Sequence, residues 1–211
     1  LKKVFGDARR TVIHLDEVED QTIEQFIPHQ DVVITLSQKG YIKRVPSATY
    51  KTQHRGGKGV RGMTTRDDDA LKELVVVDTH DTLLFFTNRG RVYPLRVFQL
   101  APDTSRTSRG TLLVNLIPLG PGEQIQTMLA TKNPKEGDLL VLATHLGEVK
   151  ALKEGALSNI QARGLIVMDL ESGDELVSVK QLGDAQDVVM VSETGQSIRF
   201  PIRNLAPRSR T

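Results

Sequence analysis

Four times along the chain, an aspartate is followed by a run of apolar residues and then by a short polar stretch holding a glycine. The runs are VVITL after Asp31, TLLFF after Asp81, LLVLA after Asp138 and VVMVS after Asp187. The polar stretches are SQKG, TNRG, THLG and SETG, and their glycines, Gly40, Gly90, Gly147 and Gly195, are spaced by 50, 57 and 48 residues. Unbroken short runs rich in β-branched and aromatic residues suit strands buried on both faces. Glycine in the turn supplies a positive φ. Each copy therefore predicts a β-hairpin. A second element recurs about twenty residues on: VRGM at 60, SRGT at 108 and ARGL at 162 each place Arg-Gly ahead of a strand-like run. A third follows it: LKELVVVD at 71, EQIQTMLA at 123 and DELVSVKQ at 174.

One repeat thus holds four strands in roughly fifty residues, the period of propeller-like arrays. A single unit cannot bury both of its faces, so neighbours must stack. The expected fold is all-β, an array of four-stranded blades. Residues 1–30 form a linker and lead-in, and 31–211 form one domain with repeats starting near 31, 81, 138 and 187. WD40 and kelch blades share the period, but the chain has no Trp at all. No long helix is predicted; 16–26 reads as a short helix or a polar loop.

Composition removes several function classes. The chain has no Cys, so it carries neither a disulfide framework nor a thiolate zinc site. Its five His, at 14, 29, 54, 80 and 145, include no local pair at metal-ligand spacing, so no metal ligands are expected. No apolar run reaches membrane-spanning length, and the start, LKKVFGDARR, has no apolar stretch like that of a secretory signal. The expectation is a cytoplasmic protein that does not engage a membrane. The net charge of +2 hides a sorting. Acids gather at 16–24 and 67–69, whereas bases gather at 51–66, 89–109 and 199–210.

The most distinctive segment runs from Tyr50 to Gly62, YKTQHRGGKGVRG. Glycines let backbone N–H groups approach a phosphate, and Arg and Lys add charge. GKGVRG formally matches G-x-G-x-x-G, but it neither follows a predicted strand nor opens a helix, and no P-loop is present. What is left is polyanion binding, with DNA the natural candidate. Bases recur in the later repeats at Arg96, Arg106, Arg109, Lys150, Lys153, Arg163, Arg199, Arg203, Arg208 and Arg210. In a ring of blades equivalent loops share one rim, and such bases would make a curved positive stripe.

At these residues the chain resembles a known family. QHRGGKG, Gln53 to Gly59, is similar to the seven-residue box QRRGGKG of the C-terminal domains of DNA gyrase A subunits, with His54 in place of Arg. FGDARRT at 5–11, GYIKRVP at 40–46, THDTLLFFTNRGRVYPL at 79–95 and GQSIRFP at 195–201 also resemble that family, so the likeness covers essentially the whole chain. The resemblance implies a six-bladed β-pinwheel whose blades exchange strands and whose basic rim wraps DNA, with about four repeats of the six present here. It implies that Gln53, His54, Arg55, Gly56, Gly57, Lys58 and Gly59 form the box, with Arg55 and Lys58 on backbone phosphates. His54 supplies a weaker cation than the family's Arg.

Arg61, Arg109 and Arg163 read as rim phosphate contacts or as partners satisfying a turn inside a blade. Lys43, Arg44, Arg89, Arg91 and Lys150 cluster near hairpin turns and second strands, as DNA contacts or as a solvated face. Tyr41, Tyr50 and Tyr93 are expected to pack, because the family's catalytic tyrosine lies in another part of the subunit. Asp67, Asp68 and Asp69 are expected in a solvated turn, and Asp31, Asp81, Asp138 and Asp187 in local turns or caps. The resemblance implies a non-catalytic piece of an ATP-dependent type II topoisomerase. ATP and Mg²⁺ would act elsewhere in that enzyme, and this piece would need no cofactor. The partners it implies are double-stranded DNA, the B subunit, and the rest of the A subunit, in an A2B2 assembly. The isolated piece would be a monomer, and the setting the bacterial cytoplasm and nucleoid. The rival reading is a protein-interaction propeller whose basic loops take an acidic partner; a propeller enzyme lacks a convincing site.

Overall fold

The computed structural model describes residues 23–50, 69–105, 107–132, 139–182 and 187–207. Among these, thirteen strands follow one another: β1 Asp31–Ser37, β2 Tyr41–Pro46, β3 Leu71–Asp78, β4 Thr82–Thr87, β5 Arg91–Arg96, β6 Thr111–Leu112, β7 Ile125–Thr131, β8 Leu139–Thr144, β9 Val149–Lys153, β10 Leu165–Ile166, β11 Leu176–Leu182, β12 Asp187–Val191 and β13 Ser197–Pro201. The helical elements among the described residues are short 3₁₀ turns, one of them Ile23–Phe26 in the lead-in. The fold is all-β, as the hydrophobic pattern predicts. No helix among the described residues is long and apolar enough to cross a membrane.

The strands assemble into blades whose order shows an exchange. The first sheet runs β3-β1-β2-β6 and the second β10-β5-β4-β7. β6 and β10 lie in the repeat that follows the blade they complete. Each of these repeats builds its own hairpin, lends one short strand backwards, then returns to flank its own hairpin. The third sheet is β11-β8-β9 and the fourth the hairpin β12-β13. The flanking strand shifts register beside the hairpin turn in all three larger sheets, at Leu36/Ser37, Phe86/Thr87 and Leu176/Ser178. A bulge repeated at one place bends each blade alike.

The stacking explains why the first hairpin strand is an unbroken apolar run. All six residues of β4, TLLFFT, are buried. Leu83 and Phe85 join Ile34, Leu36, Ile42 and Val77 of the first blade in one core cluster. Leu84 and Phe86 point the other way, into a second cluster with Leu140, Leu142 and Leu152 of the third blade. Side chains alternate across a strand, so a strand between two neighbours needs apolar residues at every position. Polar clamps join the first two blades: Lys72 Nζ donates to the Ile125 carbonyl, and the Met128 N–H donates to Glu73 Oε2 at 2.7 Å.

Hairpin turns are tied by short polar side chains. Ser37 Oγ, Thr144 Oγ1 and Ser192 Oγ each accept the N–H four residues on, at 3.1 Å. Carboxylates ahead of the return strands cap the same turns. Asp69 Oδ1 accepts from Lys39 N and Ala70 N, and Asp174 Oδ1 from Leu146 N and Glu175 N. Asp69, expected in a solvated turn, is instead partly buried and holds a turn through these backbone bonds, while 67, 68 and 138 lie outside the described residues. Asp81 likewise caps a turn, its Oδ2 accepting from Asp78 N at 2.9 Å.

Candidate nucleic-acid interface

The lent strands carry the Arg-Gly pairs, and their glycines answer to packing. Gly110 has φ +79°, and a Cβ there would stand 2.3 Å from the Ile42 carbonyl oxygen. At Gly164, φ +78°, a Cβ would stand 2.5 Å from Cε1 of Tyr93. No side chain fits either place. The lent strand lies on the preceding hairpin, with Leu112 opposite Tyr41 and Leu165 opposite Val92. Leu113 N and Val167 N then donate to the carbonyls of Gly40 and Gly90, both at 2.8 Å.

The arginines beside these glycines face outward to different degrees. Arg163 is exposed, and its carbonyl accepts from Arg91 Nη2 at 3.0 Å. Arg91 is partly buried and sits 5.7 Å from the centroid of the Tyr93 ring. Arg109 is partly buried, its guanidinium stacked 3.8 Å over Tyr41. A guanidinium flat on an aromatic ring is oriented by the stacking while its N–H groups stay directed along its edge. Arg89 stands exposed at a hairpin tip, where Nη2 donates to the Pro121 carbonyl at 2.6 Å.

Three other candidates face inward. Lys43 is 2% exposed, and its Nζ donates to the Ser108 carbonyl at 3.1 Å. Burial pulls its ammonium below the ordinary lysine range, with the Asp103 charge opposing. Arg44 is 8% exposed, donates to the Val97 carbonyl at 3.3 Å, and is likewise lowered by burial. Lys150 is partly buried, its Nζ on the Val167 carbonyl at 3.0 Å. Lys43 and Lys150 occupy one position of the repeat, three residues after the turn glycine, and both tie backbone inside the array. Gln53, His54, Arg55, Gly56, Gly57, Lys58, Gly59 and Arg61 lie outside the described residues.

The tyrosines at 41 and 93 pack. Tyr93 is buried, its hydroxyl donating to Glu123 Oε2 at 3.0 Å. Burial first, then Glu123, pushes that hydroxyl above its ordinary range, away from phenolate formation at neutral pH. Arg96 is a tether: it pairs with Glu24 of the lead-in and donates to the His80 carbonyl and Thr82 Oγ1. Arg199 pairs with Asp187 across the last hairpin. Lys39 is an exposed tip residue that sequence reasoning did not single out, although it precedes Gly40 as Arg89 precedes Gly90.

The repeats and the fold both have known relatives. A family model described as "DNA gyrase C-terminal domain, beta-propeller" matches residues 31–78, 81–132, 138–182 and 186–211. The chain belongs to this family. The DNA gyrase A subunit of Clostridium acetobutylicum is 40% identical over 210 residues, which is 100% of this chain and 25% of that protein. The chain thus spans about a quarter of the length of the curated relatives it matches. A solved structure of a DNA gyrase A C-terminal domain superposes with a TM-score of 0.64 at 26% identity, covering 85% of this chain and 58% of that one. The C-terminal domain of DNA topoisomerase IV superposes with a TM-score of 0.73 at 22% identity, covering 87% and 55%, a likeness of fold. As a gyrase C-terminal-domain family member, the chain shows its blade-forming residues and part of its basic surface.

Proposed function

We propose that the chain binds duplex DNA along its outward basic surface and bends it into a wrap, as a non-catalytic part of a gyrase. The carrying observation is the recurrence of arginines at hairpins and just ahead of the lent strands, the exposed Arg89 and Arg163 and the partly buried Arg91 and Arg109, in a member of the gyrase C-terminal-domain family. Regular blade stacking sets such side chains at regular intervals along a curve, and a duplex carries one charge per ~1.7 Å of axis. Phosphate contacts hold position and carry no sequence code, so binding is largely sequence-independent. Bending costs a few kcal/mol per ~20–30 bp and is offset by the contacts the bend adds.

In this reading Gln53, His54, Arg55, Gly56, Gly57, Lys58 and Gly59 hold the wrapped path, Arg55 and Lys58 on phosphates, and Arg61 extends the lent-strand series. The buried Lys43 and Arg44, and Lys150, keep the blades in register. The parent enzyme, an ATP-dependent type II topoisomerase of A and B subunits, uses the wrap to set the sign of strand passage and so introduces negative supercoils. ATP and Mg²⁺ act outside this chain, in the bacterial cytoplasm.

The test is DNA topology. The chain is incubated with relaxed circular DNA, a separate topoisomerase relaxes the complex, and the linking number is read. A positive shift that disappears with Arg55→Ala and Lys58→Ala is expected. Binding to an acidic peptide with no affinity for long duplex at low salt would overturn the DNA reading.

A further inference from the structure

We propose that His29, Asp78 and His80 form a binding site for one divalent transition-metal ion, of the kind that favours imidazole, zinc being the probe. His29 stands far from the other two in sequence, but the fold brings the lead-in against the connection between β3 and β4. His29 Nδ1 lies 2.8 Å and His80 Nδ1 3.3 Å from one oxygen, Asp78 Oδ1. The two imidazole rings stack with centroids 3.8 Å apart and an interplanar angle of 26°. A potential ligand atom of each residue lies within 4.8 Å of the other two.

The hydrogen bonds around His80 point to a cation. Its Nε2 lies 3.1 Å from the Glu24 carbonyl oxygen, which only accepts, so Nε2 carries the hydrogen. In the neutral ring Nδ1 then presents a lone pair. Its neighbours have no hydrogen for it: Asp78 is a carboxylate, and the Thr79 hydroxyl, 3.3 Å away, donates to the Pro28 carbonyl at 2.8 Å. With that ring neutral, a lone pair would face an anionic oxygen, a gap that only a positive charge, a proton or a metal ion, can fill. A metal ion between them removes that repulsion.

With metal–ligand bonds of ~2.0–2.2 Å, donors around a tetrahedral ion lie ~3.4 Å apart, and less where the angle is smaller. The His80 separation of 3.3 Å suits that spacing, and the His29 separation of 2.8 Å, a hydrogen-bond distance, would open by about half an ångström on binding. The supports that fix metal ligands are also present. The Glu24 carbonyl orients His80, and the His80 backbone N–H donates to Asp78 Oδ1 at 2.9 Å. Two imidazoles with one carboxylate favour zinc, nickel or cobalt over magnesium or calcium. The His29 side chain, 77% exposed, leaves an entry path and room for water ligands. Bound metal would fasten the lead-in to the blades.

The test is Zn²⁺ titration of the full chain by calorimetry, with Co²⁺ absorption reporting the ligand field. The expected result is one tight ion per chain, weakened about tenfold or more by His29→Gln, Asp78→Asn or His80→Gln, the size that losing even one supporting partner costs. His145→Gln, exposed and away from the cluster, should leave affinity unchanged. His29 projects into solvent, so His29→Gln keeps the fold, checked by circular dichroism. Affinity unchanged in His29→Gln, or no metal-dependent Co²⁺ band, would overturn the site and leave a shared proton as the occupant of the same gap.

Discussion

The hairpins of the second and fourth blades carry the same sequence signature and meet different fates. In β4 every residue is buried, and Phe85 and Phe86 are 0% exposed. In β12 the pattern alternates between exposed and partly buried, with Val189 61% and Val191 66% exposed and Ile198 of β13 at 59%. Val188 and Met190 are partly buried, and an open cleft lies between this hairpin and Val141 and Val177 of the third blade. The contrast shows that an apolar run here encodes capacity for two neighbours. Burial is delivered by whichever blades stand beside it.

Core substitutions test that contrast most severely. Phe85→Ala should cost about 3–5 kcal/mol by urea denaturation, because the cavity opens between two blades that cannot both collapse into it. Val189→Ala should change stability by no more than about 0.5 kcal/mol, as at any exposed site. Comparable losses at the two positions would mean that the last hairpin is covered as fully as the second.

The glycines offer the next largest difference. Gly164→Ala forces a side chain onto the Tyr93 ring, whereas a Cβ at Gly195, φ +82°, meets nothing within 4 Å. Both should lose ~1–2 kcal/mol to left-handed backbone strain, and Gly164→Ala a further ~1–3 kcal/mol from overpacking. Equal melting temperatures for the two variants would remove the close approach of the lent strand.

Inward and outward bases should separate by readout. Lys43→Ala leaves the Ser108 carbonyl without its donor and should cost about 1–3 kcal/mol of stability. Arg89→Ala and Arg163→Ala should leave stability nearly unchanged. Each should instead lower the slope of log affinity for duplex DNA against log salt by about 0.9. An unchanged slope in both would take these two arginines out of the DNA path.

The smallest effect is acid sensitivity. The Ser108 hydroxyl, helped by Ser105 N–H and the Lys43 charge, outweighs burial and holds the Asp103 carboxyl below its ordinary range. A carboxyl depressed in the folded state contributes stability above its unfolded pKa, near ~4, and that stability is lost as pH falls through the folded value. Glu73 is raised, chiefly by burial, so it acts in the opposite sense and favours the folded state as pH falls. Ser108→Ala should flatten the acid-side decline in melting temperature. A decline of unchanged steepness would show that Asp103 does not contribute to it.

Much of the fold was legible. The Asp-apolar-Gly hairpins, the Arg-Gly runs at 108 and 162 and the return strands at 71, 123 and 174 all appear as strands or strand-edge segments. Hidden from inspection was where the Arg-Gly strand goes. Its run of two paired residues is too short to reveal a partner, and pairing with the preceding blade is a long-range choice made by Gly110 and Gly164 fitting under their neighbours. The basic surface was legible as composition only. Lys43 and Arg89 look alike in sequence, yet one donates inward to a carbonyl and the other stands at a turn tip.

The order of residues by itself determined the repeat, the strand positions, the turns and the family, because these depend on periods and contacts within a few residues of each other. The tertiary structure alone decided which side chains are buried, which bases are spent on blade carbonyls, and that His29 meets Asp78 from 49 positions away and stacks on His80. Such outcomes depend on which blades stack and where the lead-in docks. No local pattern records the distance between residues that folding brings together.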